Sequence, residues 1–400
     1  AVEGARPRRV AMLSMHTSPL AALGGRETGG MNVYVRQVAS ALAATGISVD
    51  VFTRRSEGAL PEVEEFAPGA RLVQVEAGPV ARIEKEEMPG HTAAFAAGIE
   101  AFRQREGVTY DLIHSHYWLS VDAGDRLASA WRVPHAGMFH TLGDVKLRAR
   151  ASEHESDARL EAERRLVHRL DRIVAATEHE RQLLRQIYRV NVQHVSVIPL
   201  GVDLDRFEPV DDATRAASRA ATGIPAHERV ILAIGRIEPL KGLDILIRSL
   251  ALMSDRRDVA VYIIGGDERA APEIARLTAL AREQGVADAV HFLGARPHED
   301  LPAYYHAADI VAMPSFYESF GLVAVEAMAS GVPVVASRVG GLASTVVDGR
   351  TGYLIAWRCP EPFAEKIELL LANEELRRAL GVSARERMAQ SYAWTQVAAR

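Results

Sequence analysis

Short apolar runs alternate with longer helical patterns along this chain of 400 residues. Arg9–Met15 (RVAMLSM) reads as a buried strand. Across Met31–Thr45 the apolar residues Val35, Val38, Ala39 and Leu42 recur at helical spacing. Ile47–Phe52 returns to a strand, and Leu112–His114, Ile173–Ala176 and Val195–Ile198 are further short runs, each beside a helical stretch. After Pro199-Leu200-Gly201 the pattern restarts: Val230–Ile234 as a strand, Leu243–Met253 as a helix, then Val259–Ile264, Val290–Leu293, Ile310–Met313 and Val332–Ala336 as strands. Strands alternating with helices build βαβ units around a parallel sheet. A single sheet holding all of them exceeds the size at which one core stops growing. The pattern therefore predicts two α/β domains with a boundary near residues 200–210, where Pro and Gly suit a linker or hinge. Ligands of such sheets bind beyond the carboxyl ends of the strands. Two such domains facing a central cleft make a favoured ligand site, so the residues just after strands carry the interest.

Composition narrows the classes. Hydrophobic residues make up 48% and charged residues 25%, ordinary for a soluble globular protein. A formal net charge of -5 gives no basic footprint for nucleic acid. Cys359 is the one cysteine, which excludes an intrachain disulfide and a cysteine metal cage. The longest apolar run, Phe320–Ala336, is interrupted by Glu326 and Ser330, so no transmembrane span is expected. The opening AVEGARPRR has no apolar stretch behind its charges and reads as a short disordered lead-in rather than a secretory signal. The expected setting is cytoplasmic.

The C-terminal half carries the sharper chemistry. Glu318 follows the strand Ile310–Met313 and its loop, and Glu326 falls two turns further along, in an otherwise apolar helix. Glutamates are rarely buried without a partner. The pair is accounted for by carboxylates accepting from sugar and ribose hydroxyls, or equally by a helix-start charge and a structural ion pair. Right after the strand Val230–Ile234 come Gly235, Arg236, Lys241 and Gly242. Two cations at a strand end and a helix start suit a diphosphate. Arg338, Gly340 and Gly341 follow the strand Val332–Ala336, and Gly265-Gly266 follows Val259–Ile264; glycines there let backbone approach a ligand closely.

Taken in order, Gly235-Arg236 through Lys241-Gly242, then Glu318-x7-Glu326, then Arg338 through Gly341 resemble the retaining glycosyltransferases of family 4, with the GT-B fold. The resemblance runs over nearly the whole chain. It implies two Rossmann-like domains, residues 1–200 for the acceptor and 201–382 for the nucleotide sugar, with a C-terminal helix over 383–400 packing back on the first. It implies that Glu326 binds the donor ribose, that Glu318 contacts the sugar hydroxyls, and that Arg236 and Lys241 hold the diphosphate as it leaves. Residues Phe292–Pro297, Arg296 among them, match the base-contacting loop. Phe320, Gly321 and Leu322 complete the donor contacts, and Gly30 contributes from the first domain.

In the N-terminal half, the glycines from Gly24 to Gly30 open the first helix after the first strand. They are not spaced as the G-x-G-x-x-G dinucleotide fingerprint, and no acidic residue stands in the expected place about 20 positions on. His114, His116, Tyr117 and Trp118 follow one strand, and Phe139, His140, Thr141 and Lys146 follow another apolar run. No carboxylate at ligand spacing accompanies these histidines, so no metal is expected. Asp203-Leu204-Asp205 reads as a helix-start pair rather than a metal motif. The segments TGGMNVYV, KEEMP, HSHYWLS and HTLGDVK resemble the members of family 4 that glycosylate an inositol phosphate. That resemblance implies an acceptor phosphate held by Lys85, Tyr117, Thr141 and Arg159, with Lys146 beside them. It implies a contact of Asn32 with the acceptor ring, and of His140 with the donor sugar. Lys146 and the run Arg159-Leu160-Glu161-Ala162-Glu163 also resemble sucrose-phosphate synthases.

The expected activity is retaining transfer of a hexose, glucose or N-acetylglucosamine, from an NDP-sugar, with UDP the favoured nucleotide, to a phosphorylated polyol or sugar. No cofactor or metal is expected, and a homodimer is the expected assembly. The alternatives are transfer to fructose 6-phosphate, and a nucleotide-sugar epimerase on the same fold.

Overall fold

The computed structural model describes residues 6–20, 30–149, 154–266, 268–356 and 359–400. Most of the expected lead-in and the glycines before Gly30 lie outside these residues, as does part of the segment between Lys146 and Arg159. The chain divides into two compact units at Pro199/Leu200.

The first unit is built on an eight-stranded sheet. Its strands are β1 (Arg9–Leu13), β2 (Ser48–Arg54), β3 (Val63–Ala67), β4 (Ala70–Val75), β5 (Leu112–His116), β6 (His135–Met138), β7 (Arg172–Ala175) and β8 (Val195–Val197). Their order is β3-β4-β2-β1-β5-β6-β7-β8. All pairs are parallel except β3 with β4. The β3–β4 hairpin is the departure from an all-parallel expectation. Gly69, at φ 81, makes its turn, and Glu64 and Glu65 keep the outer strand exposed, a charged edge that discourages further pairing. The central strands β1 and β2 are buried along nearly their whole length, as strands covered on both faces must be. The helix Gly30–Ala44 buries Val35, Val38 and Ala39 of the spacing the sequence displays, together with Tyr34 and Ala43, while Leu42 is half-buried.

The second unit holds β9 (Arg229–Ile234), β10 (Val259–Ile264), β11 (Val290–Gly294), β12 (Ile310–Met313), β13 (Val334–Ser337) and β14 (Gly352–Ile355). Their order is β11-β10-β9-β12-β13-β14, and every pair is parallel. The sequence reading missed β14, a four-residue strand that opens on a glycine. A Cβ at Gly352 would lie 2.1 Å from the Val334 carbonyl oxygen, so the pairing requires glycine. The C-terminal helix is not a separate element over 383–400. It begins at Glu374, runs to Ser391, and packs on Leu322–Ala329 of its own unit. Arg385 donates there to the carbonyls of Leu204, Phe207 and Ala329, and only Ala398–Arg400 group with the first unit.

In each sheet the chain reverses its direction of winding once, between β1 and β5 and between β9 and β12. Loops diverge at such a point and leave a crevice beyond the strand ends. The candidate residues gather there.

Candidate functional site

In the second unit, β9 delivers Gly235, Arg236 and Lys241, and β12 delivers the loop Pro314–Glu318 beside it. Phe316 N donates to the Leu240 carbonyl at 2.8 Å and ties the two loops together. Gly242 sits at φ 63 with the Pro314 carbonyl oxygen 2.1 Å from where a Cβ would be, so only glycine allows this approach. Across it, Lys241 Nζ donates to Glu318 Oε2 at 2.6 Å. Arg236 pairs with Glu238 at 2.9 Å and stays largely exposed. The predicted cation pair therefore flanks one crevice, with Lys241 already oriented by a carboxylate.

Glu318 precedes the helix, which begins only at Leu322 because Gly321 takes φ 89. Glu326 therefore lies little more than one turn into the helix, not two, and is buried. Its oxygens accept separately, Oε1 from His298 Nε2 at 2.7 Å and Oε2 from the Tyr305 hydroxyl at 2.7 Å. Burial, and then the carboxylate, raise the Tyr305 phenol well above its ordinary value and keep it a donor. The partner that a buried glutamate demands is present in this structure, and neither His298 nor Tyr305 was singled out from sequence. Gly340 and Gly341 lie against the Glu318 peptide: Gly341 N donates to the Glu318 carbonyl at 2.8 Å. A Cβ on Gly340 would lie 2.0 Å from that same oxygen. Their role is to fix the Glu318 peptide. Phe320 is buried with its ring 6.2 Å from Tyr392, a core contact, while Leu322 is half-buried at the helix start. Arg296 Nε donates to the Tyr304 hydroxyl at 3.0 Å.

In the first unit, β5 ends at His116 and β6 at Met138, and the two residues that turn the chain there carry left-handed backbone: Tyr117 at φ 72 and His140 at φ 61. Such strain in residues with a Cβ costs on the order of 1–3 kcal/mol and collects at functional sites. Tyr117 is buried, and its hydroxyl has no hydrogen-bond partner among the described residues. Lys85 Nζ lies 4.5 Å and Arg159 Cζ 5.0 Å from its ring centre. Arg159 is buried and donates from Nη2 to the Thr141 carbonyl and hydroxyl at 2.9 and 3.1 Å. Its Nε donates to Glu163 and its Nη1 to Glu155, and Lys146 Nζ donates to Glu155 in turn. The predicted phosphate cage of Lys85, Tyr117, Thr141 and Arg159 is thus one cluster, and Lys146 joins it through Glu155. Glu155 is not named from sequence, and Glu163 enters only within the run that resembles sucrose-phosphate synthases, although glutamates four residues either side of Arg159 on a helical pattern are the signal that finds both.

Asn32 is buried, and its amide donates to Thr17 Oγ1 at 2.7 Å and to the Ser18 carbonyl at 2.6 Å, pinning the loop after β1. Gly30 is the exposed first residue of its helix. His140 Nε2 is 3.1 Å from His116 Nδ1. Desolvation, then the neighbouring His114, pull the His140 imidazole down to about 3, so it is neutral. No group of three or more His, Cys, Asp or Glu residues is placed to hold a metal among the described residues. Asp203 Oδ1 accepts from the Asp205 and Arg206 amides, capping a turn rather than a helix. No helix among the described residues is long and apolar enough to cross a membrane.

Two α/β units, one carrying cations and carboxylates at its switch point and the other a buried arginine among hydroxyls, define a sugar-transferring enzyme of the GT-B type. Residues 28–206 match the family model described as Glycosyltransferase Family 4, and residues 214–387 that described as Glycosyl transferases group 1. The chain belongs to glycosyltransferase family 4. It is 43% identical to the D-inositol 3-phosphate glycosyltransferase of Corynebacterium glutamicum (strain R), over 98% of this chain and 95% of that one. Among solved structures it is similar to the sucrose-phosphate synthase of Thermosynechococcus elongatus, with TM-score 0.89 and 35% identity over 98% of this chain and 96% of that one. Anabaena HepE, solved with UDP and glucose, shares the fold at TM-score 0.77 and 21% identity over 98% of this chain and 97% of that one.

Proposed function

We propose that this protein transfers a hexose, glucose or N-acetylglucosamine, from a UDP-sugar to an inositol phosphate with retention of the anomeric configuration, releasing UDP. The observation that carries the reading is the buried Arg159, which donates to the Thr141 hydroxyl, lies 5.0 Å from the Tyr117 ring centre and shares Glu155 with Lys146. A guanidinium, ammonium groups and hydroxyls are the donors that a phosphate monoester accepts from. The 43% identity to an inositol-phosphate glycosyltransferase supports the same acceptor class.

In this reading Lys241 and Arg236 hold the donor diphosphate. Negative charge grows on the leaving oxygen as the glycosidic bond breaks, and Lys241, already oriented by Glu318, stabilises it without reorganising. Glu326 spends one lone pair of each oxygen on His298 and Tyr305, and each oxygen has a second for a ribose hydroxyl. Neutral His140 hydrogen-bonds the donor sugar and adds no positive charge. No protein carboxylate serves as nucleophile, unlike retaining glycosidases. The departing phosphate oxygen takes the acceptor proton on the face where the new bond forms. The same reading assigns no metal, a cytoplasmic setting and a homodimeric assembly.

The test pairs UDP-glucose and UDP-N-acetylglucosamine with inositol 1-phosphate (L form) and with fructose 6-phosphate, reading thermal shifts and product mass. A glycosylated inositol phosphate plus UDP is the expected outcome. The second reading, a sucrose-phosphate synthase-like transfer, is favoured by the TM-score of 0.89 to that enzyme; a fructose 6-phosphate product selects it. Epimerised sugar from donor alone selects a nucleotide-sugar epimerase. Stabilisation by donor with no product rejects both acceptors, and no stabilisation by either donor rejects the uridine assignment.

A further inference from the structure

The two carboxylates on Arg159 differ in how they are held. Glu163 is fully buried, and besides Arg159 it accepts from the Gly143 amide at 2.7 Å and the Tyr188 hydroxyl at 3.0 Å. It is built into the wall. Glu155 stands just before the helix Asp157–Leu166, whose N-cap is Ser156. Its hydrogen bonds among the described residues are to the two cations: Lys146 Nζ on Oε1 at 2.6 Å and Arg159 Nη1 on Oε2 at 2.7 Å. One carboxylate, one oxygen per cation, spans the gap between an ammonium and a guanidinium, as an oxyanion ligand would. Burial opposes its ionisation, but the Arg159 charge and the Lys146 hydrogen bond hold its carboxyl below the ordinary value.

The charges favour exchange rather than addition. With Glu155 in place, Lys85, Lys146 and Arg159 face two carboxylates, and a phosphate dianion added to that set leaves a surplus of negative charge in a partly buried site. With Glu155 withdrawn, the same three cations offset Glu163 and the dianion together. An unpaired buried charge is costly, so the balanced set is favoured.

We propose that Glu155 is the resident occupant of the acceptor-phosphate site, bridging Lys146 and Arg159 until a phosphate dianion displaces it, so that dianionic acceptors are admitted and neutral polyols are not. A neutral hydroxyl compound cannot replace the carboxylate on two cations. The proposal rests on the phosphate reading of this cluster. Displacement reduces affinity by the fraction of molecules in which the site stands open.

Isothermal titration calorimetry of inorganic phosphate against the full chain tests it, on the wild type, Glu155→Gln, Glu155→Asp and Arg159→Ala, each checked for an intact thermal transition. Wild type is expected to bind weakly, and Glu155→Gln about tenfold more tightly because its site is open. Glu155→Asp keeps the charge but is too short to bridge both cations, and it too is expected to bind more tightly than wild type. Tightening in Glu155→Gln with wild-type affinity in Glu155→Asp would reduce the effect to bulk charge and overturn the proposal. Weaker or unchanged binding in Glu155→Gln overturns it as well, because Glu155 is then part of the phosphate cradle or irrelevant to it. Wild-type affinity in Arg159→Ala is a separate failure, that of the phosphate reading itself.

Discussion

Lys241 and Glu318 stand 77 positions apart and meet at 2.6 Å. The sequence displays both residue types at strand ends, but not that they face each other. Removing the ammonium takes away the charge that the leaving diphosphate needs. Lys241→Ala is therefore expected to lower kcat about 100-fold, the usual cost of one such stabilising contact, with the thermal transition close to wild type. Steady-state turnover of a UDP-sugar checks this, and a loss of less than about threefold would remove Lys241 from the chemistry. Glu326 shows how far one residue can be read alone. A glutamate in an apolar helix announces that a partner exists. That the partners are His298 and Tyr305 depends on the packing of the helix Leu301–Ala307 and the turn before it, which periodicity does not encode.

At the scale of elements, alternating strands and helices are legible where a long apolar run is unbroken. Val259–Ile264 and Ile310–Met313 coincide with the predicted runs. Elements that escape include Ala70–Val75, whose apolar run is broken by Arg71 and Gln74, the edge strand Val63–Ala67 and the glycine-led Gly352–Ile355, where partner strands rather than local preference decide the conformation. The helix Glu178–Tyr188 supplies a pH test. Thr177 caps it by accepting from the Glu180 amide, and Glu180 Oε2 accepts from the Ala176 amide at 2.7 Å. Burial pushes the Glu180 carboxyl up to about 7, only partly opposed by that amide. A carboxyl raised in the fold holds its proton where the unfolded chain has lost it. Stability is thus lost progressively as pH rises from the ordinary carboxyl range through about 7, and the loss is complete above it. Glu180→Gln keeps an acceptor for Ala176 and carries no charge. It is expected to melt several degrees higher than wild type at about pH 8.5, at roughly 2–4 °C per kcal/mol, and at the wild-type temperature near pH 5. Equal differences at both pH values would locate the effect in packing instead.

At the scale of the molecule, each unit carries its own candidate chemistry, anion-binding in the first and nucleotide-binding in the second. Hydrogen exchange can read them separately. UDP is expected to slow exchange around 235–242 and 314–326, and inorganic phosphate around 141–146 and 159–163, since bound ligands suppress local opening. Protection of the first set by phosphate alone would reverse the assignment. By itself the sequence determined that there are two α/β units and which strand ends hold cations, carboxylates and histidines. Those follow from apolar periodicity and from residue type, both local properties. Only the tertiary structure decided that Gly340 and Gly341 lie against the Glu318 peptide. It also decided that Glu326 is already partnered, and that Glu155 lies between Lys146 and Arg159. Those facts depend on strand order and on which loops the sheet brings together, and long-range packing sets both.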